Sequence, residues 1–229
     1  MDMDMDMDTN MNIDIDINID KITVAIVGLE CSGKTAFVEK LYNPEFNIHS
    51  TVSTISFNSR RIIVENDNIG NIEVELTDIS PIAINHMTDF INNKDCIILM
   101  YDLGSKQSFE YLEHIISILK IKPHKEQLFY LIGTKCDIHH ISNISGDDID
   151  YFMCENNIKC FRKIQSSEYE KLKYDFTSLV SIMYKDVKLS RLFRKHVDNE
   201  NSTKDIKIYT NHNISTSTSS DMYNCCLIS

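Results

Sequence analysis

The chain has 229 residues, of which 42% are hydrophobic and 25% charged, and a formal net charge of −11. That size gives one domain of ordinary length with tails and a sizeable core, and the acidity argues against nucleic acid held by bulk charge. No apolar run approaches the roughly 20 residues of a membrane span, no basic-then-apolar leader opens the chain, and the seven cysteines include no C-x-x-C pair of the kind zinc requires, so a soluble intracellular protein is expected.

Residues 1–20 alternate apolar residues, and once Thr9, with Asp or Asn; they hold seven aspartates and no Lys or Arg. Carboxylates at every second position repel one another and disfavour strand pairing, so a disordered, solvated head is expected. After Lys21 the run Ile22, Val24, Ala25, Ile26 and Val27 suits a buried parallel strand. A loop bounded by Gly28 and Gly33 follows, then a helix over 36–42 that Asn43-Pro44 stops. Residues 55–64 and 72–76 flank Asn66-Asp67-Asn68-Ile69-Gly70-Asn71, which is turn chemistry, so a hairpin is expected.

Residues 96–101 form a second buried strand, and Phe109, Leu112, Ile115, Ile116 and Leu119 share one helix face. Residues 128–132 are a further apolar run. A helix over about 147–156, a strand over about 158–161 and a helix over about 168–184 complete the pattern. Strands alternating with helices imply a mostly parallel sheet, helices on both faces and one antiparallel edge strand. Beyond about Lys188 the chain turns to Asn, Ser and Thr. The expected organisation is a head (1–20), an α/β domain (21–188) and a flexible tail (189–229).

Between the first strand and first helix stands Gly28-Leu29-Glu30-Cys31-Ser32-Gly33-Lys34-Thr35, which matches G-x-x-x-x-G-K-S/T. The glycines let backbone N–H groups converge on phosphate oxygens, and the helix adds the positive end of its dipole. Lys34 then reaches the outer phosphates and the Thr35 hydroxyl ligates Mg²⁺. After the 128–132 strand comes Gly133-Thr134-Lys135-Cys136-Asp137, at a carboxyl end where such sheets bind ligands. An Asp there accepts hydrogen bonds from the N1 and N2 groups of guanine, a donor pair that adenine lacks. The Lys135 stem lies along the purine plane.

On these motifs the chain resembles the Ras superfamily of small GTPases over about residues 21–188 and at its extreme C-terminus. The resemblance implies a P-loop NTPase G domain that binds GTP or GDP with Mg²⁺. Thr134, Lys135 and Asp137 match the family's N-K-x-D, with Thr for Asn. Thr54 matches the switch I threonine that completes the Mg²⁺ shell in the GTP state, with Thr51 as the competing hydroxyl. Phe46 is placed to cover the guanine edge-on, or else packs in the core. Asp78 matches the Asp of D-x-x-G, which holds Mg²⁺ through water. Gln165-Ser166-Ser167 falls where the family has S-A-K, which makes Ser166 a candidate backbone contact to guanine.

Gly28-Leu29-Glu30 and 54–58 are similar to Arf proteins, whereas 101–110 are similar to Rab or Ras proteins. Position two is Asp2 rather than a myristoylated Gly. A divergent Rab/Ras-like member is therefore expected. Switch II departs from the family. Where D-x-x-G-Q is usual, the chain has Asp78-Ile79-Ser80-Pro81-Ile82. Pro81 has no N–H for the γ-phosphate, and Ile82, at the family's water-orienting Gln position, offers no hydrogen bond. The next polar side chains are Asn85 and His86, of which His86 is either a substitute or an ordinary exposed loop histidine. No catalytic residue is assigned.

The chain closes on Cys225-Cys226-Leu227-Ile228-Ser229. Cys226 fits C-a-a-X, and the paired cysteines also resemble Rab tails, so lipid attachment at Cys226 and Cys225 by a prenyl transferase is expected. Lys185, Lys188, Arg191, Arg194 and Lys195 form a basic cluster that either meets an anionic leaflet or is a solvated helix face. The sequence thus supports a switch on the cytoplasmic face of a plasma or internal membrane, in signalling or vesicle trafficking, with slow hydrolysis of GTP to GDP and phosphate. Exchange factors, activating proteins and effectors would be its partners. The competing reading is a pseudo-GTPase that recruits partners without effective hydrolysis. A P-loop kinase would need an Arg-rich lid that is missing.

Overall fold

The computed structural model describes residues 20–66, 69–120, 127–138 and 144–208, with side chains as far as 194. The head expected over 1–20 lies outside the described residues except for Asp20, and so do Cys225 and Cys226. The expected apolar runs become strands β1 (Asp20–Val27), β4 (Cys96–Asp102) and β5 (Leu128–Thr134). The expected hairpin is β2 (Phe57–Asn66) antiparallel to β3 (Gly70–Ile79), and β6 (Ile158–Ile164) is the last strand among the described residues. All other pairings are parallel, in the order β2-β3-β1-β4-β5-β6. The result is the expected α/β architecture.

Period-two alternation divides each central strand between two cores. Ile22, Val24 and Ile26 of β1 face one side with Phe37, Val38 and Leu41 of α1 (Lys34–Tyr42) and with Leu172, Phe176 and Val180 of α5 (Tyr169–Ile208). Ala25 and Val27 face the other, with Ile91 of α2 (Thr88–Asn92), Leu112 and Ile115 of α3 (Lys106–Lys120) and Phe152 of α4 (Gly146–Asn156). Each such Val, Leu, Ile or Phe side chain, fully buried, contributes about 1.5–3 kcal/mol. Both faces are thus covered over residues 24–27 of β1, which is why that half is continuously apolar, whereas residues 20–23 still alternate.

β1 lies between β3 and β4, so the chain leaves β1 on one side and later crosses to the other. The crevice at such a reversal, outside the strands' carboxyl ends, is where open α/β sheets hold ligands. Three short elements are absent from the periodicity: α2 and two 3-10 turns, Ile48–Ser50 and Pro81–His86. Segments of three to six residues are too short to show a period.

The last helix corrects an expectation. It runs to Ile208 rather than ending near Tyr184, so 189–208 of the supposed flexible tail are helical. No Gly or Pro follows Gly146 in the sequence, so nothing in the backbone chemistry stops the helix. The described chain divides into two units after Val187. The first holds the sheet and its helices; the second begins within α5.

Candidate functional site

The loop from Gly28 to Gly33 turns the chain from β1 into α1. A side chain at Gly28 would put its Cβ 2.0 Å from the Met100 carbonyl oxygen, so only Gly lets the loop pass β4. Gly33 has φ +91, in the left-handed region, and its carbonyl accepts the Phe37 N–H at 2.9 Å, which starts α1. Cys31 holds φ +60, an unusual conformation for a residue with a side chain. The Lys34 side chain folds back over the loop, and its Nζ donates to the Gly28 carbonyl at 2.9 Å and to that of Leu29 at 2.8 Å. Burial lowers the Lys34 pKa, with the Asp78 and Glu30 carboxylates acting against the shift. A desolvated ammonium of this kind binds a phosphate strongly because little water must be stripped from it.

Thr35 in the first turn of α1, Thr54 ahead of β2 and Asp78 near the end of β3 meet at one point. The two hydroxyls are 3.1 Å apart, and both donate to Asp78 Oδ2, at 2.6 and 2.9 Å. Asp78 is fully buried and its Oδ1 has no hydrogen-bond partner. An orphaned carboxylate oxygen beside two hydroxyls is a set of hard oxygen donors, the chemistry that Mg²⁺ takes. The residues therefore fit that ion. Thr51, the competing hydroxyl, bonds instead to the Ile48 carbonyl at 3.3 Å.

At the carboxyl end of β5, the Thr134 hydroxyl donates toward the Ser32 carbonyl at 2.8 Å and lies 3.0 Å from that of Tyr101. Thr134 is buried, and its bond ties the end of β5 to the loop before α1. Lys135, at φ +60, donates to Asp102 Oδ2 at 2.8 Å. Asp137 Oδ2 accepts from the Ser167 hydroxyl at 2.6 Å. Ser167 is a contact that the sequence reading passed over, although it adjoins Ser166.

A cavity of about 340 Å³ joins these parts. Lys34, Thr35, Thr54 and Asp78 line it together with Lys135, Asp137 and Ser166, as do Glu30 and Cys31 of the loop. Gly28, Leu29 and Ser32 are not part of that lining. Phe46 is half-buried and does not line the cavity; its N–H bonds to the Asn43 carbonyl at 3.0 Å in the turn after α1, which holds it there. Pro81 does line the cavity, whereas Ile82 is 71% exposed and both it and His86 lie outside the lining. His49 lines it without any motif to mark it, and Ser80 does so from a variable position of the D-x-x-G stretch; the 3-10 turn Ile48–Ser50 and the end of β3 bring them in.

Known proteins bear on this geometry. The Ras-related protein RABA4d of Arabidopsis thaliana is 19% identical over 165 residues, 71% of this chain and 72% of that protein. The Ras-related protein RabN1 of Dictyostelium discoideum is 27% identical over 146 residues, covering 59% of this chain and 66% of RabN1. RabN2 of the same organism is 27% identical over 134 residues, covering 55% and 72% respectively. Residues 23–185, more than two thirds of the chain, match the Ras family. Sheet order, phosphate loop and family match agree on a small GTPase fold with the general role of a nucleotide-binding switch, and the chain belongs to the Ras family.

Proposed function

We propose that the chain is a divergent Rab/Ras-like switch that binds GTP and GDP with Mg²⁺ and hydrolyses GTP slowly. The observation that carries this reading is the meeting of Lys34, Thr35, Thr54 and Asp78 in one cavity with Asp137. Loop N–H groups and Lys34 would bind the phosphates, and Asp137 would read guanine, with Ser166 and Ser167 beside it. Thr35, Thr54 and, through water, Asp78 would hold Mg²⁺, which when bound supplies positive charge against the phosphate oxygens. In hydrolysis, water attacks the γ-phosphorus in line, the bond to the β-phosphate oxygen breaks, and GDP and inorganic phosphate form. Lys34 and the loop N–H groups stabilise charge on the transferring group. Pro81 donates nothing there, and Ile82 cannot orient the water.

Those two residues favour a second reading, a pseudo-GTPase that recruits partners without effective turnover. In either case exchange factors and effectors would meet the nucleotide-dependent surface. Lipid attachment at Cys225 and Cys226 would anchor the protein to the cytoplasmic face of a membrane. Mass spectrometry of the C-terminal peptide from the native source tests that part; an unmodified peptide refutes it. The main test is the nucleotide that copurifies, followed by competition between GTP and ATP. Copurified guanine nucleotide and strong GTP preference are expected; equal binding of ATP overturns the proposal.

A further inference from the structure

Within the second unit, Leu189, Leu192 and Phe193 are 53%, 55% and 69% exposed. At about 100° per residue these positions fall within one face of α5 roughly 100° wide. Lys188, Arg191 and Arg194 occupy its flank and opposite side. The Arg194 guanidinium lies along that polar side, donating to Ser190 Oγ at 2.9 Å. No Asp or Glu occurs between 188 and 197, so a basic helix segment stands within a chain of net charge −11.

A single exposed Leu needs no explanation, but a contiguous apolar stripe beside a basic face does. Three side chains offer at most a few hundred Å², well below the roughly 1,000 Å² of a specific protein interface. A lipid surface has no such minimum: a few inserted side chains combine with the attraction of cations to anionic headgroups. We propose that this part of α5 lies in the plane of an anionic lipid surface. Leu189, Leu192 and Phe193 enter the acyl boundary, while the flanking basic side chains extend to headgroup level. The proposal needs neither nucleotide nor lipid attachment at Cys225 and Cys226.

The test uses the full chain with Cys225→Ser and Cys226→Ser, so that no lipid can be attached there. It is floated with vesicles of phosphatidylcholine alone or with about one third phosphatidylserine. Binding to the anionic vesicles only, weakened by salt, is expected. Leu192→Gln with Phe193→Gln should lower that binding about tenfold or more, because the apolar insertion is lost while Gln keeps the helix. Leu192→Met with Phe193→Met should bind like the parent, which separates loss of insertion from loss of folding. Arg191→Gln with Arg194→Gln should weaken binding and flatten its salt dependence. No flotation of the parent with anionic vesicles, or equal flotation of the double Gln variant, overturns the proposal. Self-association through this face without vesicle binding overturns it in favour of a second copy of the chain.

Discussion

The loop between β1 and α1 and the segment after β3 border one cavity and treat it differently. In the loop, Gly28 passes β4, Gly33 turns left-handed into α1, and the Lys34 side chain is buried over two carbonyls. β3 delivers the chain to the second segment equally well, with Asp78 near its end buried against Thr35 and Thr54. The chain then turns at Ser80-Pro81 into a 3-10 helix that leaves Ile82 71% exposed. On the proposed function, the contrast teaches that the geometry for holding a phosphate and the position for orienting water are separable, because they reside on different segments. A chain can keep the first and lose the second.

The largest effect expected from breaking this contrast is at the loop. Lys34→Ala should weaken GTP and GDP on the order of 100-fold or more, since a buried charge-assisted contact disappears. Thr35→Asn should shift the balance towards the GDP-bound or empty state. Equilibrium titration with a fluorescent nucleotide checks both; unchanged affinity would contradict the assignment of the loop.

Next comes the base end. Asp137→Asn should weaken GTP about 10- to 100-fold and favour xanthosine triphosphate, whose base presents a complementary acceptor. The same titration reads it, with the two nucleotides in competition. If GTP preference survives, guanine is read elsewhere than Asp137.

The switch II segment tests the other side of the contrast. Pro81→Gly with Ile82→Gln should raise single-turnover hydrolysis of preloaded GTP by about tenfold while nucleotide affinity changes little. Rapid hydrolysis by the unaltered chain would instead point to another group at the cavity, such as His49, since His86 lies outside it.

The smallest effect concerns the strand that carries Asp78. Hydrogen bonds from Lys94 at 2.8 Å and Lys21 at 3.0 Å hold the Glu75 pKa down to about 2 from 4.5. A depressed carboxylate pKa contributes stability above its unfolded value, and that contribution is lost as pH falls through the folded value. Stability should therefore decline between about pH 4.5 and 2, and Glu75→Gln should flatten that decline. Denaturant unfolding at stepped pH measures it, and an unchanged slope would remove Glu75 as the cause.

What the sequence determined by itself was local. The apolar runs of β1, β4 and β5 are continuous because both faces are covered, and a period-two strand buried on both sides leaves that imprint without reference to neighbours. The phosphate loop was legible because its eight residues are contiguous and its glycines answer to backbone geometry. Tertiary structure decided what depends on convergence. It chose Thr54 over Thr51 at Asp78, set Ser167 beside Asp137, and kept Phe46 out of the cavity. Ser167 and Asp137 are 30 positions apart and Thr35 and Asp78 are 43 apart, and no periodicity records which hydroxyl a distant strand end will meet. The length of α5 is hidden for the opposite reason: beyond Tyr184 no Gly or Pro stops the helix, while an Asn- and Ser-rich composition reads as a flexible tail.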